Sequence, residues 1–207
     1  MTRAVPCQFD PANKRKRVLY VGSGPKAFDS LVDDMATAPR TTRLPSKRNP
    51  VMTCRGQELE LIPVWDTATA TDALASTYVN ILLVDLRWCG DFENRYADVR
   101  RLLTILDHAD DVEQRYGFHR IVVLISGPDS GRIDDIVIEL GAVGVRHVIR
   151  QKFRPELPAW SNDPAYGARA LEYCVELAGS RRVGKTAICA SGGGITGIYF
   201  EMGALKC

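Results

Sequence analysis

Short, continuous apolar runs alternate with stripes of apolar residues at helical spacing through most of this chain. Residues 17–21 (RVLYV) are apolar and stop at Gly22-Ser23-Gly24-Pro25. In 26–36, Phe28, Leu31, Val32 and Met35 fall at the i, i+3, i+4, i+7 spacing of one buried helix face. Residues 38–57 (APRTTRLPSKRNPVMTCRGQ) are polar, basic and proline-bearing, and predict a long surface loop. Residues 58–65 (ELELIPVW) alternate as a strand, and Asp66 is placed to cap a helix over 67–76. Residues 80–86 (NILLVDL) form a continuous apolar run closed by Asp85; such runs belong to strands covered on both faces, as in parallel sheets. A charged helix within 91–116 carries Val99, Leu102, Leu103 and Leu106 as its stripe. Residues 120–126 (RIVVLIS) predict the next buried strand, 131–140 a helix with Gly141 as its C-terminal cap, and 145–149 (VRHVI) a fifth strand. Strand runs with helical segments between them predict an α/β fold: an open parallel sheet with helices on both faces.

The C-terminal part changes character. Residues 152–164 (KFRPELPAWSNDP) carry three prolines and read as a linker. Residues 166–178 read as a helix, and 186–190 (TAICA) as a closing strand that meets Ser191 and the glycines Gly192, Gly193 and Gly194. A strand, a glycine turn and a helix start make an anion site, because the first amides of a helix lack internal partners and the dipole favours negative charge there.

Composition adds bounds. The 207 residues are 45% hydrophobic and 25% charged, as in ordinary globular proteins. The net charge of +2 gives no global reason to propose nucleic acid as a partner, and the basic cluster at 14–17 reads as a solvated flank. No apolar run approaches the ~20 residues of a membrane span. The first 17 residues lack the apolar core of a signal peptide. Six cysteines without CxxC spacing and three histidines give no metal constellation, so no metal and no cofactor are expected, and a reduced, cytoplasmic chain is the expectation.

Three glycine patterns carry candidate chemistry. The GSGP turn at 22–25 follows a strand, but Pro25 and the missing third glycine make it a tight turn and not a dinucleotide fingerprint. Residues 179–186 (GSRRVGKT) match GxxxxGK[ST] literally. The phosphate loop needs a strand before it and a helix after it, and here the predicted order is reversed. Residues 192–197 (GGGITG) have the strand before and the helix after, and they fit GxGxxG as well.

Two resemblances follow from these residues. From Glu58 onward the order of signals resembles a response-regulator receiver domain. VWDTATATDALAST followed by NILLVDLR is similar to that family's second strand, second helix and third strand, whose terminal aspartate accepts phosphate; the matching residue is Asp85. RIVVLIS is similar to its fourth strand, with Ser126 where the family has a hydroxyl residue. ELGAVGVRHVIRQKF resembles its last helix and strand, with Lys152 near the place of its lysine. The acidic residues that hold Mg²⁺ in the family stand after the first strand, where this chain has Gly22 and Ser23. A hard cation wants carboxylate oxygens, so the resemblance implies a degenerate site (Asp85, Ser126, Lys152) and an interaction role with a protein partner.

The second resemblance is at the other end. SGGGITG followed by an aromatic and then GALK is similar to the opening of patatin-like phospholipases, with Tyr199, Gly203, Leu205 and Lys206 in step. The resemblance implies that Gly192, Gly193, Gly194 and Gly197 form the oxyanion hole of an acyl hydrolase acting on lipid esters. Glycine suits that role because unobstructed backbone amides must approach the developing oxyanion. The family's GxSxG serine and its DG aspartate do not occur in these residues, so they are expected to be inactive by themselves.

The expected organisation is therefore a basic tail at 1–16 and a receiver-like α/β domain at 17–153 with an inserted loop at 38–57. A linker and helix at 154–183 follow, and the start of a patatin-like α/β hydrolase domain lies at 184–207. Readings of another class are a non-enzymatic receiver-like module, and a nucleotide-binding protein that uses one of the glycine patterns.

Overall fold

The strand Ile81–Arg87 (ILLVDLR) is buried at every position, on both faces of the sheet, and the rest of the fold is arranged around it. The computed structural model of the protein describes residues 15–46, 49–77, 79–87, 92–108, 120–127, 130–151 and 164–179. In chain order these hold β1 (Arg15–Val21), α1 (Pro25–Ala36), β2 (Thr41–Leu44), β3 (Val51–Cys54), β4 (Gln57–Val64), α2 (Thr67–Ser76), β5 (Ile81–Arg87), α3 (Phe92–His108), β6 (Ile121–Ser126), α4 (Ser130–Ala142), β7 (His147–Arg150) and α5 (Pro164–Gly179).

The seven strands form one sheet in the order β2-β3-β4-β1-β5-β6-β7. β1 pairs in parallel with β4 and β5, and β6 pairs in parallel with β5 and β7. The five parallel strands thus run β4-β1-β5-β6-β7, the doubly wound order of flavodoxin-like domains, with helices on both faces as the apolar runs predict. Alternation along each strand sorts the core. Val18, Tyr20, Leu83, Val122 and Leu124 pack with Leu31, Met35, Tyr166 and Leu171 under α1 and α5. Leu19, Val84, Leu86 and Val123 pack with Leu74, Leu102, Ile136 and Leu140 under α2, α3 and α4.

The segment 38–57, expected as a loop, instead contributes the strands β2 and β3 to the sheet. β2 and β3 pair antiparallel with each other, and β3 with β4, so the parallel sheet gains a two-stranded edge. Arg55 and Gly56 lie at φ 50° and 79° between the paired residues Cys54 and Gln57. Positive φ at both central residues is the two-residue turn whose twist matches the strands it joins. Four-residue strands are too short for an alternating pattern to stand out, yet Val51, Met52 and Cys54 are buried. The Arg-Gly pair between apolar stretches was the available signal.

Two helix ends show how local chemistry sets boundaries. Asp66 caps α2 as expected: its Oδ1 accepts from the Thr69 backbone N–H at 2.7 Å. Gly141 does not cap α4, which continues to Ala142. The turn is made by Gly144 at φ 90°; its N–H donates to the Gly141 carbonyl and Val145 N–H donates to the Leu140 carbonyl, each at 3.0 Å. Of the two glycines, it is the second that supplies the left-handed backbone.

The helix predicted after the linker is part of the core. In α5, Tyr166, Ala170, Leu171 and Cys174 are essentially inaccessible, and burial pushes the Cys174 thiol up to about 12. α5 crosses α1 at Gly167, where an added Cβ would lie 2.4 Å from Asp34 Cβ and 3.0 Å from backbone atoms of Asp34 and Met35. Gly167→Ala therefore sets helix propensity, which favours alanine by about 1 kcal/mol, against overpacking of about 1–3 kcal/mol. Because backbone opposes the new methyl, a net loss of stability is expected in urea denaturation. A stabilised variant would refute the close crossing.

Candidate functional site

β5 places Asp85 and Arg87 two residues apart on an extended strand, so both side chains emerge on the face covered by α1 and α5. Each is only 2% exposed. The Arg87 guanidinium meets the carboxylate side-on: Nε donates to Oδ1 at 2.8 Å and to Oδ2 at 2.9 Å, and Nη2 also donates to Oδ2. The Arg87 backbone N–H donates to Oδ1 at 3.0 Å. On the neighbouring strand β1, Tyr20 donates its hydroxyl to Asp85 Oδ2 at 2.6 Å. Arg87 Nη2 reaches further, to the Ala27 carbonyl in the first turn of α1, at 2.8 Å.

The electrostatics follow from this packing. Burial pushes the Asp85 carboxyl up, but the Arg87 guanidinium, its hydrogen bonds and the Tyr20 hydroxyl outweigh burial and hold it below the usual carboxylate range. Arg87 is disfavoured by burial and held charged by Asp85. Burial and the Asp85 charge keep Tyr20 protonated far above its ordinary range. The pair is a closed, neutral unit with the tyrosine as donor.

Aromatic rings seal it. Tyr20 lies 4.9 Å from Phe28 and 6.2 Å from Trp65 between ring centroids, and Trp65, at 38% exposure, forms the outer wall. Gly22 follows β1 where the Tyr20 ring folds over the chain: a Cβ there would sit 2.1 Å from the ring. Gly22 is thus required by its own neighbour's side chain, and the GSGP turn is a strand-to-helix junction with Gly24 at the helix cap and Pro25 opening the helix.

Of the residues singled out in the sequence, Asp85 and Ser126 lie on the neighbouring strands β5 and β6, offset by two residues in register. Arg87 is in register with Ser126 of β6, which is 4% exposed on the same side of the sheet. Lys152 lies outside the described residues, and so do Gly192, Gly193, Gly194 and Gly197 and the GxxxxGK[ST] match beyond Gly179. Sequence reasoning passed over Arg87 and Tyr20. The signal for Arg87 was Asp-x-Arg inside an otherwise apolar strand, because i and i+2 share a face. Nothing local marked Tyr20; its role depends on strand β1 lying beside β5.

Among the described residues no group of three His, Cys, Asp or Glu side chains stands together as metal ligands. Nor is any described helix long and apolar enough to cross a membrane.

No protein-family model and no curated protein matches the chain. Among solved structures it is similar to the signal receiver domain of a signal transduction histidine kinase from Syntrophus aciditrophicus, at 10% identity and a TM-score of 0.45. That match covers 83% of this chain and 98% of that one. It is also similar to the cytosolic domain of the T. maritima FeoB iron transporter in its GMPPNP form, at 15% identity and a TM-score of 0.48, covering 81% of this chain and 65% of that one. The assignment to the mixed α/β, receiver- or flavodoxin-like class rests on the strand order itself.

Proposed function

We propose that the α/β domain is a receiver-like interaction module that works without phosphorylation, joined to the start of a patatin-like acyl hydrolase. The observation that carries the first half is the state of Asp85. A phosphoacceptor carboxylate needs an oxygen free to attack and a cation beside it. Both Asp85 oxygens accept hydrogen bonds from Arg87, one of them also from Tyr20, and the carboxylate is buried. Gly22 and Ser23 supply no carboxylates for Mg²⁺. A domain of this kind acts through its surface, by binding a protein partner. The second half rests on the sequence pattern around Gly192, Gly193, Gly194 and Gly197, with a lipid ester as the substrate class of the intact protein. Buried, unpaired Cys54 and Cys174 agree with a reducing, cytoplasmic setting.

Incubation with acetyl phosphate and Mg²⁺, followed by intact-mass measurement, tests the module. No phosphoryl adduct is expected; an adduct that disappears in Asp85→Asn would overturn the reading. For the hydrolase, the coding sequence is read past Cys207. A GxSxG followed by a DG pair supports it, and continuation into a domain without them removes it.

A further inference from the structure

In sheets of this order, ligands bind outside the carboxyl ends of the strands, at the point where the strand order reverses. Here that point lies between β1 and β5, and the chain's own side chains fill it. The groups described around the Arg87 guanidinium include an anion, a phenol that donates to that anion, and a backbone carbonyl. Together they make a cation site, and its shape is specific. The carboxylate takes the Nε and Nη2 edge of the fork, and the Ala27 carbonyl takes a second N–H from Nη2. A planar cation with several N–H donors at fixed angles satisfies this arrangement, whereas Mg²⁺ asks for octahedral oxygen ligands.

We infer that the crevice is a guanidinium-binding site occupied in cis, with Arg87 as its tethered ligand. The guanidinium joins Asp85 on β5 to the first turn of α1, and Tyr20 of β1 is tied in through the same carboxylate. This rests on the reading of Asp85 as a carboxylate that is not phosphorylated, and adds to it the class of cation the carboxylate is built to hold. Cutting the tether should leave the receptor half in place, because Asp85, Tyr20 and Ala27 are on β5, β1 and α1, which are also joined by strand pairing and apolar clusters.

The test is chemical rescue. In Arg87→Gly, guanidinium chloride at millimolar concentration should raise the Tm by about 4–8 °C at ~30 times its Kd, relative to equal sodium chloride. Wild type, whose site is filled, and Asp85→Asn with Arg87→Gly, which lacks the anion, should show no such rise. Equal Tm values in guanidinium and sodium chloride would overturn the inference, and so would an equal rise with magnesium chloride, which would mean that the site reads charge alone. Should Arg87→Gly not fold in either salt, wild-type ¹⁵N spectra decide. The Arg87 Nε–H should exchange with water far more slowly than that of Arg101, whose side chain is 80% exposed. Equal exchange would overturn the inference. These outcomes are separable from the phosphorylation test: failed rescue without an acetyl-phosphate adduct removes only the tethered ligand, whereas an adduct on Asp85 removes the module reading as well.

Discussion

Arg87→Ala is expected to lower the stability of the domain by about 3–5 kcal/mol, the usual consequence of leaving one partner of a buried ion pair behind. The loss has little to do with attraction between two charges. It arises because Asp85, 2% exposed, would keep only the Tyr20 hydroxyl and the backbone N–H of residue 87 as donors, too few to compensate the desolvation of its charge. The test of that distinction is the double change Asp85→Leu with Arg87→Met, which removes both charges and keeps the volume. It should lose much less than Arg87→Ala alone, since a well-packed apolar pair of similar size often replaces a buried ion pair at little cost. Urea denaturation of the two variants and the wild type checks this, and equal losses for the single and double variants would show that packing, not desolvation, dominates. The pH dependence has a definite sign. The folded carboxyl lies below its ordinary range, so the pair's contribution is complete above the unfolded carboxylate's pKa of about 3.9. It is lost as pH falls through the lower folded value, so this pair makes stability fall on the acid side only.

Tyr166→Ala is the second large effect, at about 3–5 kcal/mol. Tyr166 is 1% exposed and donates its hydroxyl to the Ile149 carbonyl at 3.2 Å, which ties α5 to the edge strand β7. Its ring packs under α5 with Leu124 and Ile149. Removal leaves a cavity between helix and sheet and an unfilled acceptor on β7. The measurement is again denaturant unfolding, now with attention to the slope. A single transition with an unchanged slope and a lower midpoint is the outcome for a helix that is integral to the domain. A loss below 1 kcal/mol would mean that α5 is an appendage.

Much of the parallel sheet was legible from the chain. Continuous apolar runs such as NILLVDL and RIVVLIS announce strands covered on both faces, and the stripe Phe28, Leu31, Val32, Met35 announces the buried side of α1. The cap at Asp66 was legible because the side chain acts on amides three residues away. The antiparallel edge was not: β2 and β3 have four residues each, and the turn from β3 to β4 places Arg55, an unusual residue, at φ 50°. The choice of Gly144 over Gly141 as the turn residue also escaped, since both glycines satisfy the local rule and only the packing of Leu140 and Val145 separates them.

The candidate site divides in the same way. Its position, an aspartate near the end of a buried strand, was available from the residues. Its condition was not. Whether Asp85 is an exposed nucleophile or a sealed structural anion depends on which side chains converge on it from elsewhere. Tyr20 comes from 65 residues away in sequence, and the Ala27 carbonyl lies 60 residues from the guanidinium it accepts from.

By itself the sequence determined the kinds of element, their order and the faces they bury, because these follow from periodicity and caps that act within a few residues. Tertiary structure decided what Asp85 is. β1 lies beside β5 in the sheet, so a tyrosine and an arginine meet on one carboxylate, and a helix carbonyl holds the arginine, where no solvent remains to share the charge. Burial and long-range hydrogen bonding set the chemistry of a charged group, and neither is a local property of the chain.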